Sequence, residues 1–217
     1  MYLTFGILGA LSGPIMAAGD ILLDLKGKDD WEIGKLGIIH SAWDHMARWR
    51  FPASILLALV GCPMQMLGFT AMAHVLSQHS PGYGLAFWLV ALAGTSGAFF
   101  IHTILCLFPV ICQFLGEKNL EGEREPLIGR IYEAVKIPFW IQYFCLVLVT
   151  GVMIIAALFM GLLPISPWYG LLTAPVLTIL GLTLRKLKPS LFYDLPGIVM
   201  PSLGVGAVGL LAVISML

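Results

Sequence analysis

Long apolar stretches, broken by three short polar segments, make up the whole chain. Lys and Arg occur only within 26–50, 118–136 and 185–188. The cation-free stretches 1–25, 51–117, 137–184 and 189–217 have room for one, two, two and one bilayer crossings at ~20 residues each. Six crossings with those parities bring every cation to one face. Because cytoplasmic loops retain Lys and Arg, the pattern predicts an all-α integral membrane bundle of six transmembrane helices, N-out/C-out, forming a single domain over 1–217. The predicted helices cover about 2–24, 52–76, 84–115, 138–163, 169–187 and 195–217. Basic loops 26–50, 118–136 and 185–188 are then cytoplasmic.

Between the first two helices, Leu36, Ile39, Trp43, Met46 and Ala47 fall on one side of a helical wheel, and His40, Ser41, Asp44, His45 and Arg48 on the other. That spacing predicts an interfacial amphipathic helix over 31–50. Pro52 and Pro138 suit helix first turns, where a missing N–H is not needed. The third predicted helix is longer than a bilayer requires and contains Pro109, so it should tilt, bend or project into the cytoplasm. The acidic stretch 116–129 reads as an exposed loop. Ungapped superposition of 52–85 on 138–171 aligns Pro52 with Pro138, and Ser80-Pro81-Gly82-Tyr83-Gly84-Leu85 with Ser166-Pro167-Trp168-Tyr169-Gly170-Leu171. Common helix-entry and turn chemistry explains this as well as a duplication does.

Composition agrees with a membrane protein: 59% of residues are hydrophobic and only 11% charged, against about 25% charged in an average soluble domain. The first 25 residues contain no Lys or Arg to act as the positive n-region of a cleaved signal, and are read as a retained helix. Cys62, Cys106, Cys112 and Cys145 lie within predicted spans without a C-x-x-C pair, as small apolar packing residues would. Net charge 0 and the lack of a basic tail leave no electrostatic footprint for nucleic acid. The expected partners are the lipid bilayer and a lipid or other apolar ligand. Gly6, Gly9, Gly13 and Ala17 form a small-residue stripe on the first helix, which adds a helix–helix partner or second copy as an expectation.

Ionisable side chains inside a span are costly unless they face a partner or a wet cavity. Asp20 near the inner end of the first helix and His102 in the inner half of the third meet that description. With Gln142 and the loop-edge residues Asp44, His45, Tyr132, Glu133, Tyr193 and Asp194, they map to the cytoplasmic third. The outer half offers Gln65, His74, His79 and scattered hydroxyls. This asymmetry predicts a polar pocket open to the cytoplasm or inner leaflet. Asp20, His102 and His45 are its candidate acid, base and proton partner, and Asp44, Arg48, Tyr132, Glu133, Gln142 and Tyr193 its candidate ligand-binding residues. Asp20 is also open to a structural pairing with Arg48 or a histidine, and His102 to a core imidazole role. His40 and Asp44 at i and i+4 supply two donors of the three or four a divalent metal needs, so a solvated face with an Asp44–Arg48 ion pair is expected and no metal site. P-loop, G-x-S-x-G, H-E-x-x-H and dinucleotide fingerprints are absent, which excludes little because membrane enzymes often assemble sites from isolated residues on several helices, and cofactors stay unknown.

The segments Gly6-Ile7-Leu8-Gly9-Ala10 and Ala18-Gly19-Asp20-Ile21-Leu22-Leu23, followed by Trp43-Asp44-His45-Met46-Ala47-Arg48, resemble uncharacterised bacterial six-helix multi-pass membrane proteins. The resemblance covers mainly the first quarter of the chain. It implies a bacterial plasma membrane and an Asp-ended first helix, and brings no activity. Three readings stay open: binding or acting on an apolar or lipid-like small molecule, a small proton-coupled carrier, and a non-catalytic membrane subunit or assembly factor.

Overall fold

The computed structural model describes residues 1–192 and 194–217. It is an all-α bundle: α1 (Tyr2–Asp24), α2 (Arg50–His79), α3 (Pro81–Glu117), α4 (Arg124–Tyr143), α5 (Thr150–Phe159), α6 (Ala174–Leu187), the short α7 (Pro189–Phe192) and α8 (Leu195–Met216). A π-helical stretch, Phe144–Val149, joins α4 to α5 without a break. Among the described residues, five helical segments are long and apolar enough to cross a membrane: α1, α2, α3, the continuous segment Glu121–Phe159, and α8. The family of large apolar side chains facing outward fits lipid contact. On α1, for example, Leu3, Ile7 and Leu11 are exposed at four-residue intervals, while Gly6, Gly9 and Gly13 face inward.

The predicted fifth helix over 169–187 is corrected. A 3₁₀ segment, Pro167–Leu172, and an extended Thr173 precede α6, which has only 14 residues, about 21 Å at 1.5 Å per residue. Pro175 in its first turn explains the start point, because proline lacks the N–H that would continue an upstream helix. Helix α6 lies antiparallel to α8, with Ala174 against Gly204 and Gly181 against Pro196. The two Ser-Pro turns of the apparent repeat also differ. Ser80 alone separates α2 from α3, whereas residues 160–166 separate α5 from the 3₁₀ segment.

The predicted interfacial helix is likewise corrected. Glu32–Ile33 and Ile39–His40 pair as a two-stranded antiparallel hairpin, followed by one 3₁₀ turn, Ser41–Asp44. Gly34 and Gly37 carry φ of +79° and +64°, a left-handed conformation that glycine adopts without penalty and that a helix cannot contain. The Glu125 carboxylate accepts N–H bonds from Lys35 and Leu36 at 2.6 and 3.1 Å, fastening the hairpin to α4. The predicted loop 116–129 shrinks correspondingly, because α4 already starts at Arg124.

Helix α3 runs unbroken through Pro109 for 37 residues. Its last turns join a small core with Trp43, Met46, Phe51 and Ile128, separate from the main core around Phe69, Met72, Phe87 and Ile154. These contacts gather all three basic segments at one end of the bundle: Arg124 pairs with Asp44, Arg48 with Glu117, and Lys26 and Arg185 border the same cavity.

Candidate functional site

Arg50, the first residue of α2, fixes the inner end of α1. Its guanidinium donates to the carbonyls of Ile21, Leu22 and Leu25, each at 2.9 Å. The Ile21 carbonyl also accepts the Leu25 N–H at 3.1 Å, and a cation is favoured at a helix C-terminus. One turn along α2, the Ser54 hydroxyl donates to the Gly19 carbonyl at 2.8 Å. These four bonds set α1 against α2 and put Asp20 in a defined place.

Asp20 meets side chains from two further helices there. The Ser202 hydroxyl on α8 donates to Asp20 Oδ2 at 2.5 Å, and His102 Nδ1 on α3 lies 3.7 Å from Asp20 Oδ1. The other ring nitrogen, Nε2, is 2.8 Å from Ser54 Oγ. Since the Ser54 hydroxyl proton is directed to Gly19, its oxygen accepts here and Nε2 carries the hydrogen. Nδ1 then faces a carboxylate oxygen, an arrangement that is attractive only with a proton on one of the two atoms. At 3.7 Å the two groups face each other beyond direct hydrogen-bond distance.

This cluster lies along a cavity of about 1450 Å³ between α1, α3, α4 and α8. Its walls are largely apolar, with Met16, Ile101, Leu146, Val147 and Val205 among them. Lys26, Lys28, Arg185 and Lys186 surround its mouth together with Asp24, Asp30 and Asp194. Lys26 pairs with Asp24 at 3.1 Å and Arg185 with Asp194 at 2.6 Å, so the rim carries charges of both signs. Two amides, Gln65 and Gln142, also line it. Gln65 is 4% exposed, and its Oε1 has no hydrogen-bond partner among the described residues.

The residues expected at the site divide into separate groups. Asp20, His102 and Gln142 share the large cavity. Asp44 and Arg48 instead border a second space of about 280 Å³ with Gln113 and Arg124. The expected Asp44–Arg48 pair is replaced by a two-point Asp44–Arg124 pair at 2.8 and 3.0 Å and by Arg48–Glu117, because the segment between Asp44 and Arg48 is not helical. His45 is exposed and borders neither space. Glu133 is exposed beside Lys136, at 3.2 Å, and Tyr132 packs against the small core. Tyr193 lies outside the described residues. Ser54 and Ser202 join the cluster without having stood out in the sequence, and Gln65, expected in the outer half, lines the same cavity. Isolated hydroxyls and a single mid-helix amide carry no spacing signal. The one available hint was that Ser54 follows Arg50 by one helical turn.

No curated protein and no solved structure matches the chain. One family profile does, over residues 1–217, and the chain belongs to that family of unknown function, DUF6796.

Proposed function

We propose that this membrane protein binds an amphiphilic small molecule, lipid-like in its apolar part, in the cavity between α1, α3, α4 and α8. The observation that carries this reading is the buried Asp20–His102–Ser54–Ser202 cluster beside apolar walls, in a space of about 1450 Å³. A cavity that mixes a few convergent polar groups with an apolar lining fits a molecule with a hydrogen-bonding head and an apolar body. A carboxyl group and an imidazole nitrogen facing each other offer that head hydrogen-bonding partners. The basic segments face the cytoplasm of a bacterial plasma membrane in this reading, so the cavity opens toward the cytoplasm or inner leaflet.

The subunit or assembly-factor reading loses the feature that supported it. The glycine stripe of α1 is covered within the chain by Gly68 of α2 and Gly206 and Gly209 of α8.

The test uses decylphenol, which has one hydroxyl and a ten-carbon tail, on protein purified in detergent micelles. Wild-type protein should melt at a higher temperature with the probe. Asp20→Asn keeps the shape and an oxygen acceptor for Ser202, so it should melt normally alone and lose most of the probe-induced rise. An equal rise in wild type and Asp20→Asn, or no rise in either, would refute the site.

A further inference from the structure

The cavity holds a second polar station, well beyond the first. Gly61 of α2 lies against Met16 of α1, and Gly68 against Gly9, so Gln65 stands level with about residue 12 of α1. That is eight residues past Asp20, or about 12 Å along the helix axis. Gln142 packs beside Gly97 of α3, five residues from His102, or about 8 Å. Both amides line the same cavity as Asp20 and His102. The stretch between the two stations is lined by Met16, Ala98 and Ile101.

Gln65 is the unusual member. A buried carboxamide oxygen without a partner costs free energy that an apolar side chain of similar size would avoid. Ser12 does not relieve it, because its hydroxyl donates to the Gly9 carbonyl at 2.6 Å. A molecule whose only polar group sat at Asp20 and His102 would place its apolar part against the Gln65 amide. A molecule with a second hydrogen-bonding group directed inward would satisfy it.

Resting on the binding reading above, we propose that the ligand is an amphiphile whose ring head carries oxygen functions on opposite carbons, of the 1,4-quinol class, held between Asp20–His102 and Gln65–Gln142. A six-membered ring with two opposed oxygens, plus a hydrogen bond of about 2.8 Å at each end, spans about 11 Å, which matches the separation of the stations. A ring hydroxyl donates to the Asp20 carboxylate at one end, and the oxygen at the other end pairs with the Gln65 carboxamide, which turns about its last bond to meet it. The tail leaves along the apolar wall toward Phe139 and Ile198.

The experiment compares decyl-1,4-benzoquinol, kept reduced, with decylphenol, by titration calorimetry on the full-length protein in micelles. Wild type should bind the quinol with a Kd about tenfold lower, the value of one further hydrogen bond. Gln65→Leu removes the unpartnered amide and should fold at least as well as wild type. It should no longer bind the quinol more tightly than decylphenol. Gln65→Met serves the same purpose if the leucine variant does not purify. Equal Kd values on wild type, with Asp20→Asn still abolishing decylphenol binding, would overturn the second station and leave the binding reading standing. A quinol advantage that survives in Gln65→Leu would overturn the role of Gln65. Failure of both probes to bind wild type would overturn the two proposals together.

Discussion

The two ends of α1 make opposite kinds of contact with the same neighbours. Toward its N-terminus, Gly6, Gly9 and Gly13 meet Gly68 of α2 and Gly206 and Gly209 of α8 backbone to backbone. Toward its C-terminus, polar side chains make the contacts instead: Ser54 of α2 reaches Gly19, Ser202 of α8 reaches Asp20, and His102 of α3 comes within 3.7 Å of Asp20. Removing side chains lets helices close in a medium where lipid tails are as apolar as leucine and dispersion contact drives association. Placing polar side chains at the next level prevents that closure and leaves a space to be filled. The closed end thus supplies rigidity and the open end the chemistry, and the transition occurs within two turns of α1.

The largest expected effect tests the closed end. A Cβ on Gly9 would collide with the Gly68 backbone, and neither helix backbone can move aside without opening the seam. Gly9→Ala should destabilise by about 3 kcal/mol, at the upper end of overpacking costs, seen as a large fall in melting temperature or loss of folded protein. At the open end the sign should reverse. A Cβ on Gly97 would meet the Gln142 side chain at 3.5 Å, an ordinary contact, and alanine is favoured over glycine in a helix by about 1 kcal/mol. Gly97→Ala should leave the melting temperature unchanged or raise it. If both alanines behave alike, the contrast between the two ends is wrong.

Arg50 is the next test, because it limits how far the open end opens. Its three bonds to the last carbonyls of α1 are charge-assisted, and such bonds contribute about 1.5–3 kcal/mol each before neighbouring losses overlap. Arg50→Met, which keeps the aliphatic stem, should cost about 2–3 kcal/mol overall. It should also weaken decylphenol binding, because the last turn of α1 carries Asp20. Thermal melting and calorimetry on one preparation separate the two effects. A stability loss with unchanged binding would mean that Asp20 is positioned by Ser54 and Ser202 alone.

This division of the molecule was partly visible in the chain. Cation placement revealed the polar end because Lys and Arg are excluded from the apolar spans, and Asp20 and His102 stood out because ionisable groups there are rare. The segment 31–50 misled because Leu36, Ile39, Trp43 and Met46 fit a helical stripe, while Ile39, Trp43 and Met46 also pack from a hairpin and turn. Gly34 and Gly37 were the contrary signal, since two glycines three apart are poor material for an exposed helix. Asp44, Arg48 and His45 were grouped with Asp20 by depth alone. Depth fixes one coordinate only: Asp44 and Arg48 pair instead with Arg124 of α4 and Glu117 of α3, and His45 is exposed. The short α6 follows from Pro175, which lies inside the predicted span 169–187, with Pro164 and Pro167 just ahead of it.

The hairpin at the cavity mouth gives the smallest and most local effect. Asp30 accepts from the Ala42 N–H at 3.0 Å and the Ser41 hydroxyl at 3.2 Å, and lies 2.7 Å from His40 Nδ1. Partial burial by itself would raise its pKa. The Ala42, His40 and Ser41 contacts outweigh that and hold the carboxyl below its ordinary value. The folded form therefore binds a proton less readily than the unfolded one. Its contribution is complete above the ordinary carboxylate value of about 3.9 and is withdrawn as pH falls below that, through the lowered folded value. Amide exchange over residues 30–42, corrected for intrinsic rates, should be pH-independent from neutrality to about pH 5 and accelerate below pH ~4. Asp30→Asn should show little of this acid dependence, whereas exchange in the glycine seam should not respond at all. Acid loosening of the seam together with the hairpin would show that the two ends form one cooperative unit.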